Sequence, residues 1–218
     1  MSSTHRSLSL ISSAIALVAV TVSCASEPKV QVPPRVELAR YGTIGIIGFS
    51  ARPSADHGPQ ATQLFVHMLQ SAQPGAPILE LGTRDEVLAK IGHDELDFEA
   101  VRTIGEVYRV DAVFSGELEI SKAKTNVQIG AAFNSLQASS DLNGKLDARL
   151  METRAGATVW SKRGLATANL ANVGVAGGGA LPSFGVTDKA DVERGLVSDL
   201  VARVRGDFYP RWVKQSQQ

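Results

Sequence analysis

Thr43-Ile44-Gly45-Ile46-Ile47-Gly48-Phe49 is a short run without a single charge. A strand with one wet face alternates apolar and polar side chains, whereas a run that fails to alternate suits a strand covered on both faces. The run therefore predicts the first core strand of an α/β domain. Its glycines, Gly42, Gly45 and Gly48, recur every third residue but lie within the strand. A phosphate-cradling loop must follow a strand with its amides free, so they do not form one.

Toward the C-terminus, strands and helices alternate. Ala51 to Pro59 reads as a loop from its prolines, glycine and charges. Leu64, Phe65, Met68 and Leu69 then recur at helical spacing, predicting a helix over Gln60 to Ala72 that Pro74-Gly75-Ala76-Pro77 ends. Ile78 to Leu81 is a second short strand. Thr83-Arg84-Asp85-Glu86 has the spacing of a capping box, and Gly92 stops the helix it opens. Asp94 to Tyr108 predicts another helix, with Phe98, Val101, Ile104 and Tyr108 on one face.

The second half turns to strands. Asp111 to Ile120 alternates from Phe114 onward, and Leu142, Gly144, Leu146, Ala148 and Leu150 line one face of a longer strand opposite polar residues. Arg154-Ala155-Gly156 is its turn, and Thr158 to Thr167 pairs back as a hairpin. Ser121 to Ser140 is less regular, although Val127, Ile129, Ala131 and Phe133 alternate with polar or small neighbours; Leu170 to Val186 is glycine-rich and without helical period. Both stretches read as surface loops. A last helix from Thr187 or Asp188 carries Val192, Leu196, Leu200 and Val204, and the aromatics of Phe208-Tyr209-Pro210-Arg211-Trp212 fold back on the core. The expected fold is α/β: a mixed sheet with helices packed on it, an antiparallel meander and a final helix.

Toward the N-terminus, Glu27 to Arg40 contains Pro28, Pro33 and Pro34, which forbid a continuous helix or a central strand. It reads as a tether. Before it, Arg6 heads an apolar run from Leu8 to Val22, and the small residue Ser23 precedes Cys24. That is the layout of a secretory signal, too short and serine-rich for a membrane span of roughly 20 apolar residues. Thr21-Val22-Ser23-Cys24 is similar to a lipobox, with Thr21 where bacterial lipoproteins usually carry leucine. Ser23-Cys24-Ala25 also fits ordinary signal peptidase, which leaves a soluble periplasmic product as the alternative. Cys24 is the chain's one cysteine, so no internal disulfide can use it. Three acyl chains, at about 0.8 kcal/mol per buried CH₂, would hold the protein in a bilayer permanently. In Gram-negative lipoproteins an aspartate after the cysteine retains the protein at the inner membrane; Ala25 and Ser26 stand there instead, which favours the outer membrane. The domain plan is then a leader over 1–23, a lipidated tether over 24–40, one domain over 41–213 and a polar tail over 214–218.

Composition bounds function. The chain carries 22 basic and 22 acidic residues, and losing a leader that contains only Arg6 leaves 21 against 22. Charges are interspersed, so nothing steers the chain to nucleic acid.

Ile104-Gly105, Val110-Asp111-Ala112-Val113-Phe114-Ser115-Gly116, Arg149-Leu150 and Gly156 to Trp160 together resemble the pattern of small envelope lipoproteins related to the curli-secretion lipoprotein CsgG. That group includes the penicillin-binding-protein activator LpoB and the N-terminal domain of the periplasmic TolB protein. The resemblance spans Tyr41 to Trp212 and implies their fold. Because that fold serves a secretion pore, an enzyme activator and a scaffold, it leaves function open. The motif residues themselves read as structural. Gly105 lets its helix lie close on the sheet, Asp111 caps or turns the chain between helix and strand, and Trp160 is core.

Catalytic chemistry is not evident. Gly48-Phe49-Ser50-Ala51-Arg52 begins like a nucleophile elbow, but Arg52 replaces the needed glycine and Pro53 follows. Gly177-Gly178-Gly179 leads into Pro182, not into a helix N-terminus. His57, His67 and His93 lack paired spacing, which argues against a metal centre, and Glu117 and Glu119 share a strand face as solvated carboxylates. The sequence thus predicts no catalytic residue, no cofactor and no metal. It points to a membrane-anchored adaptor, lipidated at Cys24, that faces the periplasm and docks an envelope protein through its glycine-rich loop or the hairpin at Gly156. The alternative is a homo-oligomeric secretion pore, with hairpins drawn from Ser121 to Ser140 and Thr167 to Val186.

Overall fold

The computed structural model describes residues 29–121, 124–129, 135–176, 183–186 and 188–214; Cys24, Gly177 to Gly179 and the polar tail beyond Lys214 lie outside them. In chain order the elements are β1 (Lys29–Val32), β2 (Ile44–Ile47), β3 (Ser50–Arg52), α1 (His57–Ala72), β4 (Ile78–Gly82), α2 (Arg84–Ile91) and α3 (Phe98–Tyr108). There follow β5 (Ala112–Ile120), β6 (Lys124–Ile129), β7 (Ser135–Glu152), β8 (Ala157–Ala176), β9 (Ser183–Val186), α4 (Lys189–Val204) and β10 (Arg211–Lys214). Eight strands form one sheet in the order β4-β2-β5-β7-β8-β9, with β3 added on β5 and β6 on β7.

All four residues of β2 are buried, and the strand runs parallel to β4 on one side and β5 on the other. Non-alternation meant coverage on both faces, as expected. β5, β7 and β8 continue as an antiparallel meander, giving the mixed sheet of an α/β protein.

One sheet face carries α1 and α4 over a core containing Phe65, Phe114, Leu146, Trp160, Leu200 and Phe208. Ring centroids lie 5.2 Å apart for Phe65 and Phe114 and 4.8 Å for Trp160 and Phe208. These are edge-on packings that add to each ring's burial. The opposite face, under α2 and α3, holds a smaller core of Ile47, Val87, Val101, Ile104, Val113 and Met151.

Local signals act as expected where chemistry fixes them. Thr83 and Glu86 form the capping box, and Gly92 is the left-handed C-cap of α2. Asp111 takes the Thr43 amide at 2.9 Å, tying the start of β2 to the start of β5. A Cβ on Gly105 would sit 2.5 Å from that of Thr153, so the glycine does permit the close approach of α3 to the sheet.

Several boundaries differ. α1 begins at His57, because Pro59 falls in the first turn, where its missing amide has no partner to lose. α3 begins at Phe98, not Asp94, because the Asp97 side chain accepts from the Ala100 amide and sets the N-cap there. Phe98, placed with the buried face of that helix, is 58% exposed. The part of the expected tether that is described is packed on the domain: β1 pairs with β10, Val36 donates to the Asp207 carbonyl, and Leu38 is fully buried. Trp212 does not fold back; it lies on β10 and is 65% exposed.

The largest correction concerns the two presumed loops. Lys124–Ile129 pairs with Leu136 to Asp141 upstream of the meander, Ala171 to Ala176 supplies the end of β8, and Ser183–Val186 is β9. β7 and β8 are accordingly 18 and 20 residues long.

Candidate functional site

Three features of this fold could carry function: a crevice at the sheet's carboxyl end, a charged sheet face, and the strand extension. The crevice lies where the connections leaving the neighbouring strands β2 and β4 run to opposite faces, to α1 and to α2, the position at which open α/β sheets bind ligands. It encloses about 590 Å³ between the ends of β2 and β4 and the first turns of α1 and α2, lined by Phe49, Ser50, Asp56, Thr62, Thr83 and Glu86 among others. Its hydroxyls are committed to the fold. Thr62 donates to the Gly58 carbonyl at 2.9 Å and accepts from the Phe49 amide at 2.8 Å. Thr83 and Glu86 are engaged in their capping box, and the amide bond to Glu86 holds its carboxyl below its ordinary pKa. Ser50 Oγ donates to the Gly116 carbonyl at 3.5 Å. No general base is hydrogen-bonded to that hydroxyl among the contacts of the described residues, so the arrangement lacks the first requirement of a nucleophile pair.

Two of the three histidines after the leader have partners on different elements. His57 faces Glu193 at 3.4 Å across α1 and α4, and His93 reaches the Thr103 hydroxyl at 3.4 Å. The described residues hold no group of three metal-binding side chains.

The second feature is the face of β5, β7 and β8 that α2 and α3 leave uncovered. Alternation puts Glu117, Glu119, Lys145, Asp147 and Arg163 on it, and cross-strand register pairs them. Arg163 grips Asp147 through two bonds of 2.6 and 3.2 Å, Lys145 meets Glu119 at 2.9 Å, and Arg84 reaches in from α2 to Glu117 at 2.9 Å. The bond and charge from Lys145 lower the pKa of Glu119, and Asp147 raises that of Arg163. Asn143 accepts from Thr167 at 2.8 Å and Asp141 from Asn169 at 2.7 Å, extending the ladder. Leu165, 60% exposed, stands among these groups. The pairing of Glu117 and Glu119 with cations fits the solvated-face reading.

The third feature begins where β8 takes a bulge. Asp141 opposes Asn169 and Ser140 opposes Ala171, leaving Leu170 unmatched. The slip changes which residues of β8 share the side of the sheet that α4 packs on. Beyond it, register sets Val127 opposite Ala138, Ile129 opposite Leu136, Val173 opposite Ala138 and Phe184 opposite Val173. The alternate register positions are Asn126, Gln128, Gln137, Ser139, Asn172 and Gly185. One set is apolar and the other polar without charge, and Val127 is 59% exposed. The core side of the sheet thus continues past the N-terminus of α4.

Of the two hairpins singled out for docking, Gly156 has φ +65° and lies against the Phe98 carbonyl, so this turn is packed on the start of α3. The glycine-rich stretch is described only for its flanking strands, which belong to the extension. Trp160 is core, as expected, and its indole donates to Asp207 at 3.1 Å. Sequence reading missed Asp207. Its one available signal was an acid following an amphipathic helix.

No family model matches the chain, and no curated protein matches it. Among solved structures, the PelC dodecamer of Paraburkholderia phytofirmans is 13% identical with a TM-score of 0.42, covering 84% of this chain and 98% of that one. Lipoprotein GNA1162 of Neisseria meningitidis is 15% identical with a TM-score of 0.37, covering 75% and 97%. The C-terminal domain of LpoB from Salmonella enterica is 12% identical with a TM-score of 0.33, covering 62% and 84%. Likenesses this distant do not establish what the chain does.

Proposed function

We propose that this chain is an exported lipoprotein, acylated at Cys24 and held at the outer membrane, whose α/β domain acts in the periplasm as a non-enzymatic adaptor that docks another envelope protein. The observation that carries this reading is that the two ends of the domain differ in kind. The β1–β10 ribbon adjoins the C-terminal end of α4, through Val36, Asp207 and the Gln73 bonds to Val36 and Phe208. The strand extension begins at the other end of α4, since Gly144 packs on Leu196 and Leu200 while Gly164 packs on Leu200 and Val204.

α4 has 16 residues and so spans about 24 Å. Cys24 precedes Lys29 by five residues, a reach of at most about 18 Å. Acyl chains on Cys24 keep the ribbon end at the bilayer, and the extension projects away from it with Val127 exposed to a partner.

A photoreactive residue placed at Val127 in cells tests this: it should form adducts with protein. Adducts with phospholipid alone at that position would refute the orientation.

A second reading, a subunit of an oligomeric secretion pore, is favoured by one observation, the division of the extension into apolar and polar register positions. Transmembrane strands need about 9 to 11 residues and an apolar band about 25 Å tall. Among the described residues β6 covers Lys124–Ile129 and β9 covers Ser183–Val186. The adaptor reading is preferred because Ser121 to Ser140 and Thr167 to Val186 carry little hydrophobic bulk for such a band. A ring-shaped assembly with conductance in planar bilayers would reverse the preference.

A further inference from the structure

α2 and α3 end in the same backbone conformation with different residues. Gly92 closes α2 at φ 71° and ψ 33°, and Arg109 closes α3 at φ 54° and ψ 49°. Both are left-handed, a conformation that glycine adopts freely and that crowds the Cβ of an arginine. Among the described residues Arg109 is the one non-glycine with a positive φ. The dipole of α3 favours a cation in its last turn, but a neighbouring position would supply that charge without strain. The arginine side chain at this position therefore needs another reason.

Its surroundings supply one. The β7–β8 turn lies along α3: a Cβ on Gly105 would sit 2.5 Å from that of Thr153, and Gly156 packs on the Phe98 carbonyl. Thr153 is fixed further by its hydroxyl, which donates to the Val110 carbonyl at 2.7 Å, and by its amide, which donates to the Asp111 carbonyl at 3.0 Å. This close approach brings Arg154 of the turn beside Arg102 and Arg109, and the three line a pocket of about 420 Å³ together with Glu106 and Asp111. No carboxylate of the described residues lies within ion-pair distance of any of these three guanidinium groups. Asp111 is already engaged, accepting the Thr43 amide at 2.9 Å. Three positive and two negative side chains leave the pocket one positive charge in excess.

Forked guanidinium groups without carboxylate partners take oxyanions, either carboxylate or phosphate. Position decides between them. Along β7 the pocket lies beyond Leu150, whose register partner Trp160 bonds Asp207 at the ribbon end, whereas the strand extension begins in the opposite direction, at Asp141. The pocket thus sits at the end of the sheet that an anchor on Cys24 would hold at a bilayer. The anion displayed there is the phosphodiester of phospholipid headgroups, whose single negative charge matches the excess.

We infer that Arg102, Arg109 and Arg154 bind a phosphodiester group, supplied by a phospholipid headgroup of the membrane that carries the anchor. The inference rests on acylation at Cys24, which brings this end of the domain to the surface. The anchor alone leaves the domain free to swivel; a headgroup held in the pocket stops it.

The test uses the full exported chain. In detergent micelles the arginine side-chain N–H resonances are followed by NMR during titration with glycerophosphoglycerol, a soluble headgroup, and with sodium acetate at equal ionic strength. The headgroup should shift the signals of Arg102, Arg109 and Arg154, and acetate should not. Arg102→Gln and Arg154→Gln should each weaken headgroup binding about tenfold. Arg109→Gly should weaken it as much without lowering the unfolding midpoint, because glycine relieves the backbone; unchanged binding in that variant would overturn the part given to Arg109. In vesicles of phosphatidylethanolamine and phosphatidylglycerol, a fluorophore on an Ala155→Cys variant, exposed beside Arg154, should be quenched by headgroup nitroxides. Adding Arg102→Gln and Arg154→Gln should abolish the quenching while the protein still floats with the vesicles. Signals that shift with glycerophosphoglycerol, in protein that floats but is not quenched, would make the ligand a free phosphodiester and overturn the headgroup source. Equal shifts with acetate would overturn phosphate in favour of a partner's carboxylate, and silence toward both anions would overturn the site. Protein that does not float overturns the anchor, a failure that the micelle titration does not share.

Discussion

Replacing Asp207 with alanine should cost the domain about 2–3 kcal/mol. The residue is 8% exposed, on the turn after α4, and its carboxylate accepts from Trp160 Nε1 at 3.1 Å and from Lys162 Nζ at 3.2 Å. Alanine strands the indole N–H in the Phe65–Phe114–Trp160–Phe208 cluster, and a buried donor without a partner costs about 1–3 kcal/mol. The Lys162 pair adds less, because that ammonium is 38% exposed. Burial raises the pKa of Asp207, but the bonds from Trp160 and Lys162 and the charges of Lys162 and Arg35 outweigh it, leaving the carboxyl below its ordinary value. A lowered acid pKa stabilises the fold fully above the unfolded pKa of about 4, and that contribution is lost as pH falls through the folded value. Urea titrations followed by Trp160 fluorescence, at pH 7 and pH 3, would measure both effects. The gap between wild type and Asp207→Ala should be largest at pH 7 and narrower at pH 3. A gap under about 0.5 kcal/mol at pH 7, or one that widens in acid, would refute the role given to this carboxylate.

Gly58→Ala should destabilise by more than about 1 kcal/mol in thermal or urea unfolding, although alanine favours helix, because a Cβ there strikes the Phe49 carbonyl oxygen, which is backbone and cannot swing aside. Thr83→Ala should cost about 1 kcal/mol through loss of the cap on α2; a change near zero in the same assay would count against it. Arg163→Ala should leave the unfolding midpoint nearly unchanged, as its pair with Asp147 is solvent-exposed, yet should weaken partner capture if the charged sheet face is the docking surface. Unchanged recovery of cross-linked partner would remove that face from consideration.

What could be read in the sequence was what short-range chemistry determines. The β2 run, the Thr83–Glu86 box and the even-numbered apolar residues from Leu142 to Leu150 each carry their own signal, and each formed as written. The strand extension was missed for a definite reason. Along β8 the residues packed on the core are Ala166, Ala168 and Leu170, then the unmatched Leu170 shifts the pairing, and beyond it the register partners of Ser140, Ala138 and Leu136 are Ala171, Val173 and Val175. A period of two that changes phase midway looks like no period at all. The β1–β10 ribbon was hidden differently: its strands stand at opposite ends of the chain, and four residues flanked by prolines carry no sign of a distant partner. Asp207 escaped because its importance lies in Trp160, 47 positions away.

The central claim is that lipid on Cys24 holds the ribbon end of the domain at a membrane. Mass spectrometry of the N-terminal peptide from the exported protein tests it most directly. The account predicts a chain beginning at Cys24 and carrying a thioether-linked diacylglycerol and an N-acyl group. A mature chain that begins elsewhere, or that carries an unmodified thiol, would contradict it.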